Sequence, residues 1–351
     1  MSSLLLIVIA VCLFILSYYG FLLCEKKQSD DSSRNSFLLQ PLTIFIVFGF
    51  LGCLACSFII PDQNDALVPV SFWSVPVVFA SAVILSLGLH FFQNKFLQFL
   101  LLALACTLNT VLLPDNISLT EGLLPDYAEK GILVLSWILF AWFYNILNSV
   151  DGVLPIQSLS LTIGLILMYI IGIMPELYTG WTGVFAAILL SFACFNNYPA
   201  ILSLNNKDCR LIGFFIGWLM ILASIEGNAS CVLILSMYYI YEIIIAGLKK
   251  LSFQKRFKNF EENTFYNQLN ALGASPKNIC EFIGRINLIL MLLAGFQIYA
   301  PNQYTMGIIA FFAVFWMTSR AMSPQKDKQH LLLSGSILAA LFGRKKKKKS
   351  T

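Results

Sequence analysis

Long apolar runs separated by short polar stretches extend along nearly the whole chain. The runs are close to the roughly 20 residues that an α-helix needs to cross a bilayer, and they lack the period-two alternation of membrane β-barrel strands. The pattern therefore predicts an all-α fold, a polytopic membrane helix bundle of about eleven spans. The predicted spans lie near residues 3–24, 39–60, 73–92, 96–113, 131–150, 157–175, 181–197, 211–225, 231–248, 279–300 and 303–320.

The amino-acid composition is that of a membrane protein, and its cysteines and histidines do not form a typical metal-binding motif. Hydrophobic residues make up 58% of the 351 residues and charged residues only 12%, which excludes an ordinary soluble domain. The run from Ser2 to Cys24 is too long for a signal-peptide core and lacks a basic start, so we interpret it as the first span. Cys53 and Cys56 form a CxxC without a second pair, and the chain has two histidines, so we expect no structural metal.

The distribution of lysine and arginine predicts how the bundle is oriented. With the N-terminus outside, basic residues concentrate in the cytoplasmic loops, and Lys130 is the exception on the opposite side. This orientation places Asp151, the loop at Pro199 and the long loop 249–278 on the same face, which predicts a cytoplasmic cleft. The cytoplasmic basic residues outside the tail are Lys26, Lys27, Arg34, Lys95, Lys207, Arg210, Lys249, Lys250, Lys255, Arg256, Lys258, Lys277 and Arg320.

The chain divides into a transmembrane bundle, residues 1–322, and a cytoplasmic tail, residues 323–351. In the tail, the apolar run His330–Phe342 is too short to cross a bilayer and is typical of an interfacial helix. Lys345–Lys349 follow it and would attract anionic lipid headgroups by about 1 kcal/mol per charge. A solvated tail and a nucleic-acid-binding patch are the alternatives, but the membrane context favours headgroups, so we expect no nucleic acid partner.

A polar stripe follows one of the apolar runs. Asn145, Asn148 and Asp151 recur at every third residue, so on a helix they lie along one side and present amides and a carboxylate to a single ligand. Polar side chains are costly to leave unpaired in lipid and usually face a bundle interior or a wet cleft. The alternative is a helix end that reaches water.

Four stretches of the sequence resemble the polyprenyl-phosphate N-acetylhexosamine-1-phosphate transferases of glycosyltransferase family 4. These bacterial membrane enzymes start the synthesis of O-antigen, teichoic acid and peptidoglycan, and the spacing agrees from about residue 88 to 295. The four stretches are Asn145–Gly152 for the family's N-x-x-N-x-x-D-G, Phe195–Ala200 followed by Gly213 for F-N-x-x-P-A and its glycine, Glu242 followed by Lys249 and Lys250, and Gln268–Gly273 for R-L-x-x-L-G.

The resemblance implies a helix bundle with a cytoplasmic cleft, a UDP-activated amino sugar, polyprenyl phosphate and magnesium. In this interpretation Asp151 and Asp208 are the catalytic and metal-binding residues, and Asp151 holds the metal or activates the lipid phosphate. Asn145 and Asn148 orient the sugar nucleotide, and basic side chains offset phosphate charge. The substrate-binding residues are then Asn145, Asn148, Asn206, Lys207, Arg210, Lys249, Lys250 and Asn267.

The sequence departs from the family pattern at its acidic and histidine positions. No carboxylate stands near Leu89–Phe92, where the family has paired aspartates, and the metal-binding Gly-Asp becomes Asn205-Asn206. The H-x-H-H cluster becomes Thr264–Asn267. Because magnesium prefers hard oxygen ligands, these changes remove most of the expected site, and Asp208 lies two residues beyond the missing aspartate.

Two functions stay open at this point, with a third as a minor alternative. The chain is either a diverged transferase that moves a sugar-1-phosphate from a UDP-sugar to polyprenyl phosphate, or an inactive relative that binds a lipid phosphate or nucleotide or acts as a partner subunit in a homo- or heterodimer. A transporter is the third. The expected location is the bacterial inner membrane, or the endoplasmic reticulum in a eukaryote, where Lys348–Thr351 would fit a dilysine retrieval signal.

Overall fold

A computed structural model of the chain describes residues 2–29, 41–60, 74–111, 113, 124–172, 175–251, 263–299 and 305–322. The predicted tail, from residue 323 onward, lies outside the described residues. The α-helices are α1 (Ser2–Ser29), α2 (Pro41–Ile59), α3 (Ser74–Phe91), α4 (Lys95–Val111), α5 (Asp126–Phe143), α6 (Val153–Ile170), α7 (Glu176–Asn196), α8 (Asn206–Ala223), α9 (Ala229–Leu235), α10 (Met237–Leu251), α11 (Phe265–Ala271), α12 (Pro276–Gln297) and α13 (Thr305–Met322). A 3₁₀ helix, Tyr144–Ser149, follows α5, and a π-helix, Ser224–Asn228, follows α8.

The prediction of a polytopic helical membrane bundle is confirmed. Within the described residues, nine helices are long and apolar enough to span a bilayer, and the bent pair α9 and α10 would make a tenth. Every predicted span has a helical counterpart. The span expected near 96–113 is the shorter helix Lys95–Val111, and the span near 231–248 is interrupted by a bend of 61°. The interruption lies at Ser236, whose hydroxyl donates to the Leu233 carbonyl at 3.1 Å, a local bond of the type that often bends helices.

The chain forms two compact units, residues 1–232 and 233–351. The first unit is organised around α8, in which every residue from Asp208 to Ala223 is buried. A helix that is apolar on all sides has no face suited to water and becomes the core of its bundle. The buried aromatic rings of Phe79 in α3 and Phe215 in α8 lie 4.9 Å apart between centroids, and Phe185 of α7 lies 5.1 Å from Phe215.

Two glycines allow α5 to approach α8 closely. An added Cβ at Gly213 would lie 2.5 Å from the Tyr144 Cβ, and one at Gly217 would lie 2.5 Å from the Trp137 Cδ1. The Trp137 ring stacks on Phe214 at 4.9 Å, and its indole Nε1 donates to the Phe214 carbonyl at 2.8 Å. Small residues of this kind let backbones approach and pack in membrane bundles, where apolar burial alone gives little association energy.

The helices α1, α2 and α7 pack together on another side of the first unit. The Ser17 and Ser191 hydroxyls are hydrogen-bonded at 2.6 Å in buried surroundings. The Trp181 indole donates to the Cys53 carbonyl at 3.2 Å and to the Ser57 hydroxyl at 3.1 Å. These bonds satisfy polar groups between helices that otherwise present apolar surfaces, as lipid surroundings require.

In the second unit, α10 packs against α13 through a buried polar contact. The Thr318 hydroxyl donates to the Tyr241 hydroxyl at 2.8 Å, and both side chains are buried. The Tyr238, Tyr239 and Tyr266 rings are also fully buried in this unit. Such large aromatic side chains supply much of its core, while their hydroxyls need partners inside it.

The close approach of α5 and α8 predicts a sharp difference between two glycine substitutions. Gly213→Ala forces Tyr144 away and should destabilise the protein by about 1–3 kcal/mol, seen as a lower thermal unfolding temperature in detergent. Gly183→Ala in α7 is the matched control, because an added Cβ there meets no atom within 4 Å. It should leave stability unchanged or raise it by up to about 1 kcal/mol. Equal unfolding temperatures for the two variants would contradict the glycine contact.

Candidate functional site

The polar stripe of the sequence lies on a 3₁₀ helix and the turn that follows it. Asn145 and Asn148 are half-buried on the 3₁₀ helix Tyr144–Ser149, whose three residues per turn place them on the same side. The helix ends at Val150, which is extended, so Asp151 lies in the turn beyond it. The two asparagines therefore share one helical face, as expected, whereas Asp151 lies beyond the helix in the following turn.

A left-handed turn redirects the chain from this 3₁₀ helix into α6. Gly152 has φ of 83°, a conformation that glycine adopts without steric cost. Across the turn, the Tyr144 and Ser158 hydroxyls are hydrogen-bonded at 2.6 Å, and both residues are buried. The turn and this bond hold the segment that carries Asp151 in place.

The turn is hydrogen-bonded to the loop between α7 and α8. The Ala200 N–H donates to Asp151 Oδ2 at 3.2 Å, and Asn148 Nδ2 donates to the Leu204 carbonyl at 2.6 Å. We name the two segments, residues 144–152 and 195–206, the loop cluster. The cluster brings together the two stretches of the first unit that carry the resemblance, since they contain N-x-x-N-x-x-D-G and F-N-x-x-P-A.

Asn196 holds the loop cluster together from inside. Its side chain is buried, its Oδ1 accepts from the Gly152 N–H at 3.3 Å, and its Nδ2 donates to the Leu202 carbonyl at 2.8 Å. The Phe195 carbonyl accepts from the N–H groups of Ile201 and Leu202 at 2.9 and 3.1 Å. A buried amide that satisfies backbone groups on both sides is costly to lose, so Asn196 is a structural residue of the cluster.

The start of α8 borders the loop cluster. The Asn205 side chain caps this helix by accepting from the N–H groups of Lys207 and Asp208 at 2.9 Å each, as N-cap asparagines commonly do. Asn206 is exposed, Lys207 is half-buried and Asp208 is buried. The Lys207 ammonium lies 3.4 Å from the His90 carbonyl at the end of α3.

Arg210 joins α8 to the end of α3 and the start of α4. It is 9% exposed, its Nη1 donates to Gln98 Oε1 at 2.9 Å, and its guanidinium lies 4.0 Å from the centre of the Trp142 ring. Gln98 Nε2 in turn donates to the Phe92 carbonyl at 2.6 Å. The roles of Gln98 and Trp142 were not predicted. An amide inside the apolar run of α4 is the sequence signal that could have singled out Gln98.

The described side chains form no ready-made set of ligands for a magnesium ion. Across the residues that the structure describes, no group of three or more histidine, cysteine, aspartate or glutamate side chains is placed to hold a metal. Asp151 already accepts a backbone hydrogen bond, and Asp208 is buried at the first turn of α8. Magnesium demands a near-octahedral set of oxygen ligands, so an ion at these two carboxylates would need most of its oxygens from water and from phosphate.

In the second unit, a buried carboxylate fixes the start of α11. Glu242 is fully buried, its Oε1 accepts from the Tyr238 hydroxyl at 2.6 Å, and its Oε2 accepts from the Phe265 N–H at 2.8 Å. The Lys249 ammonium donates to Gln268 Oε1 at 2.7 Å, so a second contact joins α10 to α11. Glu242 and Lys249 thus hold the segment that begins at Phe265.

The predicted site residues are divided between the two units. Asn145, Asn148, Asp151, Asn206, Lys207, Asp208 and Arg210 belong to the first unit, and Lys249, Lys250 and Asn267 belong to the second. Asn267 is half-buried on α11, and the side chain of Lys250 lies outside the described residues. That both sets line one cleft stays a prediction.

No protein-family model matches the chain, and a search of curated proteins finds no match.

Removal of the Asn196 side chain should loosen the loop cluster. Asn196→Ala leaves the Gly152 N–H and the Leu202 carbonyl without their partner, at a cost of about 1–3 kcal/mol. We expect faster hydrogen exchange at Gly152 and across residues 197–204, measured by mass spectrometry. Asn197→Ala is the control, because this neighbouring asparagine is exposed. Unchanged exchange in Asn196→Ala would show that the bonds do not hold the loop.

Changes at Glu242 should release the start of α11. Glu242→Leu removes both acceptors, and because a hydrogen bond to a charged group contributes about 1.5–3 kcal/mol, exchange of the Phe265 amide should accelerate at least tenfold. Glu242→Gln keeps one acceptor oxygen and should have a smaller effect. Glu281→Gln, at a carboxylate that is 62% exposed, is the control. The same slow exchange in Glu242→Leu as in the control would refute the anchoring role.

Proposed function

We propose that this integral membrane protein is related to the sugar-phosphate transferases and binds a phosphate-bearing ligand, polyprenyl phosphate or a UDP-sugar, without transferring it. The observation that carries the proposal is the contact between Asp151 and Ala200, 49 residues apart in sequence. It joins the two stretches of the first unit that resemble the family. Chance matches to short motifs give no reason for the matched segments to meet.

The side chains of the loop cluster favour binding over metal-dependent catalysis. Asn148, Asn196 and Asp151 all make bonds that hold the loops, so the motif works as a scaffold. The acidic positions that the family uses for magnesium hold asparagine or no carboxylate at all. Basic side chains are retained at the start of α8, and charge-assisted bonds from lysine and arginine suit phosphate oxygens.

We also propose a membrane and an orientation for the protein. The excess of basic residues in alternate loops supports an N-terminus outside and a C-terminus in the cytoplasm, in a bacterial inner membrane or a eukaryotic endoplasmic reticulum. The basic tail would then meet anionic headgroups at the cytoplasmic surface. In this setting the loop cluster would face the cytosol.

An active transferase is the second candidate, and the position of Asp151 favours it. Its carboxylate is only half-buried at the edge of the loop cluster, where it would be accessible to a lipid phosphate. Asp151 would then act as the group that activates the phosphate, with magnesium supplied alongside the substrates. The two candidates differ in whether a lipid-linked sugar is formed.

One assay separates these candidates. The purified protein in nanodiscs is given polyprenyl phosphate, a panel of labelled UDP-sugars and magnesium chloride, and both bound ligand and lipid-linked product are measured. We expect saturable binding without product. Asp151→Asn keeps an acceptor oxygen for the Ala200 N–H and should bind as well as the wild type.

Formation of a lipid-linked sugar that is lost in Asp151→Asn but kept in Glu281→Gln would establish the second candidate. Glu281 is a suitable control because its carboxylate is exposed on α12 in the other unit. Absence of both binding and product across the panel would overturn the proposed function.

A further inference from the structure

Three basic residues lie at the start of α4 and the start of α8. Lys95 is the first residue of α4, and Lys207 and Arg210 lie in the first two turns of α8. Lys207 and Arg210 reach the α3–α4 connection through His90 and Gln98. We name Lys95, Lys207 and Arg210 the cationic corner.

Lys207 is the member of the cationic corner best placed to contact a ligand. It is half-buried, and its ammonium lies 3.4 Å from the His90 carbonyl in an exposed setting. An ammonium carries three N–H donors, so a single long contact to a carbonyl leaves capacity for an anion. Asn205 and Asn206 beside it are exposed.

Arg210 supplies a fixed charge behind Lys207. Its guanidinium is held by Gln98 and lies over the face of Trp142, and Gln98 is itself bonded to the Phe92 carbonyl. A cation stacked on an aromatic ring and bonded to a neutral amide keeps its positive charge at a defined place. Arg210 is therefore a positioning residue for the corner.

The acidic residue nearest in sequence does not cancel this charge. Asp208 follows Lys207 directly and is 5% exposed, and its attraction to Lys207 offsets part of the positive charge of the corner, which has two further basic residues. Acidic residues in the first turn of a helix also interact favourably with the helix dipole, which gives Asp208 a structural reason to be there. Asp208 is a useful test residue, because a metal site would need its carboxylate as a ligand, whereas its negative charge would weaken an anion site.

Exposed phenylalanines lie at the end of α3 and the start of α4, next to Lys95 in sequence. Phe91 is 80% exposed, Phe92 44% and Phe96 68%, and all three flank Lys95 in sequence. In a membrane protein, apolar side chains at helix ends face the acyl region, while adjacent basic groups attract anionic headgroups. This combination of a phosphate-binding charge and apolar surface suits an amphiphilic ligand.

We infer that the cationic corner binds the phosphate of a membrane lipid phosphate directly, through Lys207 and without a divalent metal. The inference rests on the proposed function for the kind of ligand and adds how it is held. The shared chemistry is an anionic phosphate group, which a lipid phosphate carries as a monoester and a nucleotide sugar carries within a diphosphate. The exposed phenylalanines commit the corner to the lipid.

The test measures polyprenyl phosphate binding to the protein in phosphatidylcholine nanodiscs, with either magnesium chloride or EDTA. We expect the same dissociation constant in both buffers and weaker binding as sodium chloride rises, because salt screens partly exposed charges. UDP-sugar should not compete.

Four variants test which residues bind the lipid phosphate. Lys207→Gln should weaken binding by about tenfold or more, the loss expected for a bond between charged groups. Arg210→Lys keeps the charge but loses its planar donor geometry and should have a smaller effect. Asp208→Asn should leave binding unchanged or strengthen it. Arg285→Gln, at a residue 72% exposed and paired with Glu281, removes the same charge elsewhere and should have no effect.

The possible failures are distinguishable. Binding that EDTA abolishes and that Asp208→Asn also abolishes would overturn the inference in favour of a metal site, while the proposed function survives. Binding of a UDP-sugar in place of the lipid would overturn the choice of ligand. Absence of binding by either ligand would remove the proposed function too. Because Lys207 is only half-buried at a helix start, we expect Lys207→Gln to unfold at the wild-type temperature. An equal unfolding temperature would show that a loss of binding comes from the missing charge and not from unfolding.

Discussion

The first unit depends on one helix that has no face for water or lipid. Every residue of α8 from Asp208 to Ala223 is buried, so the neighbouring helices must enclose it on all sides. Gly213 and Gly217 make this enclosure possible on the α5 side, where Tyr144 and Trp137 occupy the space of the missing side chains. The start of α8 is consequently held in place, and the polar groups around it gain a rigid support.

Polar groups at this end of the bundle bond mainly to backbone atoms of neighbouring loops. Asn148, Asp151 and Asn196 each reach a backbone group more than five residues away. This arrangement follows from the cost of unsatisfied backbone groups where chain segments turn near an apolar core. The same side chains that resemble a catalytic motif therefore have a structural task, and their presence alone does not imply chemistry. Cations at the start of α8 are the groups that remain suited to a ligand.

The motifs are visible in the sequence, whereas the contacts between them are visible only in the structure. The N-x-x-N-x-x-D-G and F-N-x-x-P-A stretches could be aligned from sequence, and the structure shows that they are bonded to each other. Arg210 was predicted to offset phosphate charge, but its contacts with Gln98 and Trp142 could not be read from the sequence, because those partners lie 112 and 68 positions away. Contacts at such separations depend on which helices become neighbours.

The sequence by itself determined the membrane class, the number and approximate limits of the apolar segments, and the places where polar residues interrupt them. Those features follow from local hydrophobicity and length, which bilayer thickness converts directly into helices. Only the tertiary structure decided that α8 is enclosed, that Asp151 accepts the Ala200 N–H, and that Glu242 anchors α11. These outcomes depend on packing and on the pairing of buried polar groups between distant segments, for which a run of apolar residues specifies no partner.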